Sequence, residues 1–329
     1  MIFSECYLYL ITANLRVEDN IQITTVKILK DSKVSFLPLL FLFIQPIFMT
    51  GNIAVARGAA GLVPPVSLAF WRWVLAALIL LPFIFPALKK QWKEVLIEFP
   101  KLLVLGLTGF AFCGAFPYIS GLTTSVVNMG IIYSASPIFI ILFSVFIYKE
   151  KLSKLQIFGT VLCLSGIMVV VCKGQLETLM KLQITKGDIW ISGAMISWAV
   201  YSVFLMNWKS KFDLLTRFSL MAIAGVICLL PMYYVEETFF FTTTFNKDFV
   251  FWTIIAAIFP GIIAFLMYSK LQKFVGASIT GLVVYLMPIY SALYGYFLFN
   301  EKLQSFHWFG GIFVLTGIIL ANKNLFKIK

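Results

Sequence analysis

The chain has 329 residues, 61% of them hydrophobic and only 12% charged. Soluble domains have about a quarter charged residues, and a soluble protein of this size needs a charged shell, so the composition excludes a soluble globule. The five cysteines form no CxxC pair, and all but Cys6 lie in or at the end of apolar stretches. They are interpreted as small apolar fillers rather than as metal ligands or disulfide partners.

Apolar stretches separated by short charged gaps follow one another along the chain, and a spanning helix needs about 20 apolar residues. We predict ten transmembrane helices, at residues 34–56, 64–86, 102–119, 123–148, 153–172, 188–206, 214–234, 249–269, 276–299 and 304–321. We expect all Asp and Glu residues to lie in gaps or tails. Coupling to protons through a buried carboxylate is therefore not expected.

The basic residues lie mostly in alternate gaps. With ten spans, most of the 26 Lys and Arg residues fall on the side of the N terminus. Because Lys and Arg are enriched in cytoplasmic loops, we predict a multi-pass protein of the cytoplasmic (inner) membrane with both termini in the cytoplasm. This asymmetry accounts for the net charge of +12, so nucleic-acid binding is not expected. Residues 1–33 become a cytoplasmic N-terminal segment, 173–187 an external linker and 322–329 a basic cytoplasmic tail.

The two halves of the chain match when one is shifted by 151 residues. Glu150-Lys151-Leu152 falls on Glu301-Lys302-Leu303, Pro137 falls on Pro288, and Gly166 falls on Gly317. Each half contains five predicted helices, and because five is odd, the second half must enter the membrane from the opposite side. We therefore predict an all-α integral membrane protein with ten transmembrane helices in two inverted-topology five-helix repeats, 34–172 and 188–321. Such repeats are typical of secondary transporters, which bind substrate near the midplane.

These motifs resemble those of the drug/metabolite transporter superfamily, in its branch of EamA-type ten-helix permeases. The resemblance covers about 34–321 and rests on Gly51-Asn52, Arg72, Ser136-Pro137 and the two Glu-Lys-Leu turns with the glycines that follow them. It implies a secondary transporter that moves a small metabolite by alternating access through a central cavity. The aromatic faces and the single cation suggest an amino acid or a similar amphipathic zwitterion. Because the family also contains carriers of S-adenosylmethionine, a nucleoside-type metabolite is the alternative.

Polar and aromatic residues inside the predicted spans are the candidates for the cavity. Arg72 is the only formal charge well inside a span, and it either reaches the membrane surface along its stem or attracts an anionic group of the substrate. Asn52 either bonds a neighbouring helix or faces the cavity. The full set of substrate-binding candidates is Asn52, Arg72, Asn128, Ser134, Trp198, Tyr201 and Tyr285. Ordinary helix packing is the alternative for each of them.

Prolines and glycines within the spans predict hinges and close helix contacts. Pro137, Pro260 and Pro288 are candidate helix hinges. The glycines lie seven residues apart on one helix face in each repeat and predict close helix packing; they are Gly159, Gly166, Gly310 and Gly317.

No enzyme is expected from this sequence, although a membrane enzyme is kept as the alternative from another class of function. The single histidine, His307, is expected at the membrane interface, and one histidine cannot supply a zinc site. No catalytic constellation and no phosphate-binding loop is present, so no metal, ATP or other cofactor is expected. The expected partners are a small-molecule substrate and the lipid bilayer, and a homodimer is compatible with the sequence.

Overall fold

The computed structural model describes residues 36–149, 153–175, 184–268, 270–271, 284 and 286–321, and these residues form helices and connecting turns. The first repeat contains α1 (Phe36–Gly58), α2 (Pro65–Lys90), α3 (Trp92–Gly121), α4 in two parts (Val126–Ser134 and Ser136–Tyr148) and α5 (Lys154–Val171). The second contains α6 (Lys186–Asn207), α7 (Leu214–Phe239), α8 (Lys247–Tyr268), α9 (Met287–Phe299) and α10 (Ser305–Ala321). The predicted segments 1–33 and 322–329, and part of the linker, lie outside the described residues.

Six of these helices are long and apolar enough to cross a membrane, namely α2, α3, α4, α6, α7 and α8. Helices α5 and α10 are apolar but shorter. Several helices run beyond the predicted spans: α2 continues to Lys90 and α3 already begins at Trp92. A helix can continue beyond the hydrocarbon core of the membrane because its charged side chains are solvated by water there, while its backbone hydrogen bonds stay within the helix. The predicted charged gap between these two helices is therefore mostly helical.

Polar residues in the gaps or at the first positions of the predicted spans start five of the helices. The side chains of Ser125, Ser153, Thr185, Asp213 and Asn246 each accept a hydrogen bond from a backbone N–H in the first turn of the helix that follows. These bonds satisfy amides that have no partner within the helix. These capping residues thus fix where α4, α5, α6, α7 and α8 begin.

The structure repeats at the same interval of 151 residues as the sequence. The second part of α4, Ser136–Tyr148, corresponds residue for residue to α9, Met287–Phe299. Each of these helices ends at a residue in the left-handed conformation, Lys149 with φ 56° and Asn300 with φ 52°. The fold is that of an all-α membrane protein with two inverted-topology repeats.

Helix contacts follow the same two-fold relation. Helices α2, α4 and α5 each pack against their own counterparts, α7, α9 and α10. Helix α1 packs against α8 and α9, and its counterpart α6 packs against α3 and α4. Equivalent helices therefore occupy equivalent places, and the core of the protein lies between the two repeats.

The four predicted packing glycines lie where α5 meets α10. A Cβ atom on Gly166 would lie 2.7 Å from the carbonyl oxygen of Gly310, and one on Gly317 would lie 2.5 Å from that of Gly159. Both distances are far below ordinary contact, so the two backbones approach closely only because these residues have no side chain.

The three predicted hinge prolines lie at irregular points of helices. Pro137 follows the break in α4 at Ala135, and Pro288 lies at the equivalent place in α9. Pro260 lies within a π-helical segment of α8, Ala257–Ile263. A π-helical segment also occurs at the corresponding place in α3. Both repeats thus contain a widened helical turn near the middle of the third helix, and the hinge role of the prolines stays a prediction.

Candidate functional site

A small cavity of about 50 Å³ lies between the two repeats and is bordered by helices from both of them. Its described lining consists of Met49, Asn52, Ile53, Arg72, Trp73, Gly109, Cys113, Pro117, Tyr133, Trp198, Pro260, Phe265 and Met287. The two π-helical segments each contribute a residue, Gly109 and Pro260. Irregular backbone inside a membrane protein is tolerated where it borders a cavity or packs within protein, and it often marks a functional site.

Arg72 points into this cavity and is only 4% exposed. Its Nη1 donates hydrogen bonds to Asn52 Oδ1 and, over 2.6 Å, to the hydroxyl of Tyr118. Its Cζ atom lies 4.6 Å from the centre of the Trp73 ring and 4.9 Å from that of Tyr118. The guanidinium is therefore held inside the protein, and it does not reach the membrane surface.

The positive charge of Arg72 has no carboxylate partner among the described residues of the cavity lining. Its Nε is buried and has no hydrogen-bond partner among the described residues. Two aromatic faces stabilise the guanidinium partly, but removing a cation from water is costly without a counter-ion. The cavity thus presents a desolvated cation with an unused N–H donor, and this arrangement is suited to an anionic group of a ligand.

Apolar and aromatic side chains form much of the rest of the lining. The Trp198 ring lies 6.4 Å from the Tyr133 ring and 6.5 Å from the Phe265 ring, and Met287 also lines the cavity. Aromatic rings offer large apolar area with a polar tip. The lining thus combines one cation with aromatic and apolar surface, which makes the cavity amphipathic.

Comparison with known proteins identifies the family to which this architecture belongs. The model of the EamA-like transporter family matches residues 36–172 and again residues 185–323, which together form most of the chain. The chain belongs to the EamA-like transporter family. It is therefore a multi-pass membrane transporter.

Relatives of this EamA-like transporter match it over most of their own length. It is 27% identical over 262 residues to an uncharacterized transporter of Archaeoglobus fulgidus, covering 78% of this chain and 87% of the relative. It is also 27% identical over 282 residues to the uncharacterized transporter YyaM of Bacillus subtilis, covering 84% and 90%. A solved crystal structure with 16% identity matches with a TM-score of 0.57 over 89% of this chain and 98% of the other. That likeness shows a shared fold.

The structure of this EamA-like transporter brings three of the seven substrate-binding candidates to the cavity, namely Asn52, Arg72 and Trp198. Tyr201 is buried behind Trp198, with its ring against Gly109. Ser134 is fully buried, and its hydroxyl donates to the Ile131 carbonyl. Neither of these two, nor Asn128, is among the described residues of the lining, and Tyr285 lies outside the described residues. The binding roles stay predictions.

Two tyrosines at the site were missed by sequence reasoning. Tyr118 joins the Arg72 cluster, and its hydroxyl donates to Asn52 Oδ1 over 2.9 Å. Tyr133 lines the cavity, whereas the neighbouring Ser134 was selected from the repeat alignment. Successive side chains on a helix point about 100° apart, so only one of Tyr133 and Ser134 can face the cavity. Deciding which of them does so requires the position of the break in α4. Their signal in the sequence, a tyrosine within an apolar span, is too common to single them out.

The expectation that every acidic residue lies in a gap is wrong for Glu236. Helix α7 continues to Phe239 rather than ending near residue 234, and Glu236 lies in its last turns with 4% exposure. His307, expected at the interface, is also buried, and its Nε2 lies 3.0 Å from Asn128 Oδ1. Both residues belong to the end of the bundle where α2 and α4 begin, so neither is near the midplane.

A second, larger space of about 320 Å³ lies between α1, α8 and α9. Its described lining is largely apolar, and its polar side-chain atoms are the hydroxyl of Tyr294, which donates to the Ile47 carbonyl over 3.0 Å, and the indole N–H of Trp252. Pro260 borders both this crevice and the central cavity. Because the described lining has no charged group and few polar atoms, the crevice is a poor site for a polar solute.

Proposed function

We propose that this transporter moves a small amphipathic solute with a carboxylate group, an amino acid or a similar zwitterion, across the cytoplasmic membrane. Transport takes place by alternating access at the central cavity, with both termini in the cytoplasm. The main observation behind the proposal is Arg72, a buried cation that has, among the described residues, neither a hydrogen-bond partner for its Nε nor a carboxylate partner in the cavity lining.

A carboxylate group matches the hydrogen-bonding capacity and the charge that Arg72 leaves unsatisfied among the described residues. One oxygen would accept the hydrogen bond that Nε lacks, and the ligand would supply the missing counter-charge. The apolar part of the solute would lie against Trp198, Phe265 and Met287. No described acidic residue lines the cavity, so an ammonium group would be stabilised by aromatic faces rather than by an ion pair.

The size of the cavity supports alternating access. Its 50 Å³ is well below the roughly 300–1,000 Å³ of typical ligand pockets. The conformation described here is therefore closed around the cavity, and substrate entry requires helices to separate. The breaks at Pro137 and Pro288 and the π-helical segment at Pro260 are the places where the two repeats would bend.

The charge of the cavity favours a zwitterion over the alternative substrate. S-adenosylmethionine bears a sulfonium cation in addition to its amino-acid group, and Arg72 would repel that cation in a site of low dielectric constant. A neutral zwitterion gains the carboxylate contact without this repulsion. The amino-acid class is therefore the proposed substrate class, and the larger cationic metabolite is an outcome to be tested.

The test is counterflow exchange in proteoliposomes with a panel of amino acids, their desamino carboxylates and S-adenosylmethionine. We expect saturable exchange with one class of zwitterion. Loss of one or two charge-assisted hydrogen bonds predicts that Arg72→Ala lowers this exchange by about 10- to 100-fold. Arg72→Lys keeps the charge but not the planar fork, and should retain part of the activity.

The matched control is Arg57→Ala. Arg57 is another arginine of the first repeat and is half-buried, but its Nη1 donates to the Gly121 carbonyl over 3.0 Å and it does not line the cavity. Its removal should leave substrate selectivity unchanged. Equal exchange by wild type and Arg72→Ala, or preferential exchange of S-adenosylmethionine, would contradict the proposed substrate class.

A further inference from the structure

Three acidic residues of the second repeat bind the first repeat at one end of the bundle. We call this end the Gly61 face, after the turn at Gly61 that lies there. Helices α1 and α3 end at this face, and helices α2, α4 and α6 begin at it. The charge pattern of the loops predicts it to be the outer face. We propose that Glu236, Glu301 and Asp188 form a latch that holds the two repeats together at the Gly61 face, and that this latch opens when the central cavity becomes accessible from that side. The inference rests on the proposed alternating access and not on the substrate class.

Glu236 of α7 caps the beginning of α2. Its Oε1 accepts a hydrogen bond from the backbone N–H of Val66 over 2.9 Å, and its Oε2 accepts one from that of Ser67 over 2.6 Å. The Ser67 hydroxyl also donates to Oε2, over 2.8 Å. The residue before this helix is Pro64, which supplies no side-chain cap. The amides at the start of α2, which have no partner within the helix, are thus satisfied by the other repeat.

Glu301, which follows α9, caps the beginning of α4 in the same way. Its Oε1 accepts from the Val126 N–H over 2.9 Å, and its Oε2 accepts from the Val127 N–H over 3.2 Å. A Cβ atom on Gly295 would lie 2.7 Å from Oε2. Gly295 therefore leaves the space that this carboxylate occupies.

Asp188, at the start of α6, completes the set and is 1% exposed. Its Oδ1 accepts a hydrogen bond from the Thr124 hydroxyl over 2.5 Å, and Asn128 Nδ2 lies 3.5 Å from the same atom. Next to it, the Ser120 hydroxyl donates to the Gly187 carbonyl over 2.8 Å. This end of α6 is thus bound to the turn between α3 and α4.

These contacts cross from one repeat to the other and lie between the cavity and the Gly61 face. Arg72 is seven residues into α2, which corresponds to about 10 Å of helix, so the cavity lies below the capped ends. Separation of the repeats at this face would leave buried carboxylates and helix-end amides without partners. The latch therefore favours the closed conformation and sets how readily this side opens.

The native Cys113 reports directly on opening, because it lines the cavity and is 6% exposed. The test uses protein in which Cys6, Cys163, Cys172 and Cys228 are replaced by alanine, reconstituted in vesicles of known orientation. A membrane-impermeant maleimide is added from each side in turn. We expect Glu236→Gln, Glu301→Gln and Asp188→Asn to raise the rate of Cys113 modification from the Gly61 face by about tenfold or more, since each weakens a charge-assisted hydrogen bond.

Asp248→Asn is the matched control. Asp248 is an acidic residue at the same end of the bundle, in the first turn of α8, but its side chain is exposed to solvent. The rate of Cys113 modification in this variant should stay within about twofold of the wild-type rate. Gly295→Ala is the second variant. Its Cβ would lie 2.7 Å from Glu301 Oε2 and 2.9 Å from Val127 Cγ2, so it presses apart the two partners of this contact without removing the charge, and it should raise the rate as Glu301→Gln does.

The latch is refuted if folded protein with these substitutions keeps the wild-type rate of modification. An equal increase from both faces would also overturn it, because that result indicates general loosening. If the Gln variants do not fold, the rate in Gly295→Ala decides by the same two criteria. Thiol modification needs no substrate, so a latch result is independent of the counterflow panel. Faster modification together with failed exchange would leave the latch standing and remove the proposed substrate class.

Discussion

Replacing Gly317 by alanine tests how closely α5 and α10 must approach. The added Cβ would lie 2.5 Å from the Gly159 carbonyl oxygen and 2.6 Å from the Cys163 backbone nitrogen. Both are backbone atoms, so relief requires the two helices to separate by roughly 1 Å, and a gap of that size forfeits a quarter to a half of each dispersion contact. Overpacking of this kind costs about 1–3 kcal/mol, whereas alanine gains up to about 1 kcal/mol in helix propensity.

We therefore expect Gly317→Ala to lower the free energy of unfolding by about 1–2 kcal/mol. The matched control is Gly311→Ala in the same helix, where the nearest atom to the added Cβ is Ile131 Cδ1 at an ordinary 4.0 Å. That variant should be as stable as the wild type or slightly more stable. The measurement is thermal and denaturant-induced unfolding of both variants in the same detergent micelles. If Gly317→Ala unfolds no more readily than Gly311→Ala, the close approach of α5 and α10 is wrong.

Two further substitutions test local features of the fold. Asp213 caps α7, and its pKa lies below the usual 3.8 because partial burial, which raises it, is outweighed by hydrogen bonds from the Thr216 hydroxyl and from the Thr216 and Leu215 amides. A carboxylate with a depressed pKa stabilises the fold above its unfolded pKa, and this stability is lost as the pH falls through the folded pKa. Asp213→Ala should therefore lower the free energy of unfolding by about 1 kcal/mol at pH 7 and by progressively less below pH 3.8, measured by unfolding across that range. A difference that does not change with pH would contradict the role of the charge. Gly51→Ala should be neutral or stabilising by up to about 1 kcal/mol in the same unfolding assay, because its Cβ would lie 3.7 Å from the Tyr294 hydroxyl beside the open crevice; marked destabilisation would show that this space is filled.

Much of the fold was predictable because it depends on properties that a sequence states directly. Apolar length predicts spanning helices, and the repeat at 151 residues predicts two equivalent halves of opposite topology. The glycines at intervals of seven predict a close helix contact. Helix ends were less predictable, since the acidic pair Glu236-Glu237 favours a gap after residue 234, whereas α7 continues to Phe239 and takes Glu236 into the protein.

The candidate site was only partly predictable. Asn52 and Arg72 were identified because an amide and a charge are expensive in lipid and must turn inward. Asn128 had the same property, yet it lies in the network at the Gly61 face with Asp188. The free-energy cost of exposing a polar side chain to lipid indicates that the residue faces protein, but it does not indicate which residue it contacts. That is why the position of each residue along the bundle had to come from the packed structure.

The sequence by itself determined that this protein is a helical membrane protein with two inverted repeats and an arginine inside a span, because hydropathy, repetition and charge are properties of the chain taken alone. Only the tertiary structure decided which residues meet. It brought Tyr118 and Trp73 to Arg72, and it joined Glu236 and Glu301 to helices about 170 residues away in the chain. These contacts depend on where helix faces turn and on how the repeats dock, and such information is absent from any local pattern of residues.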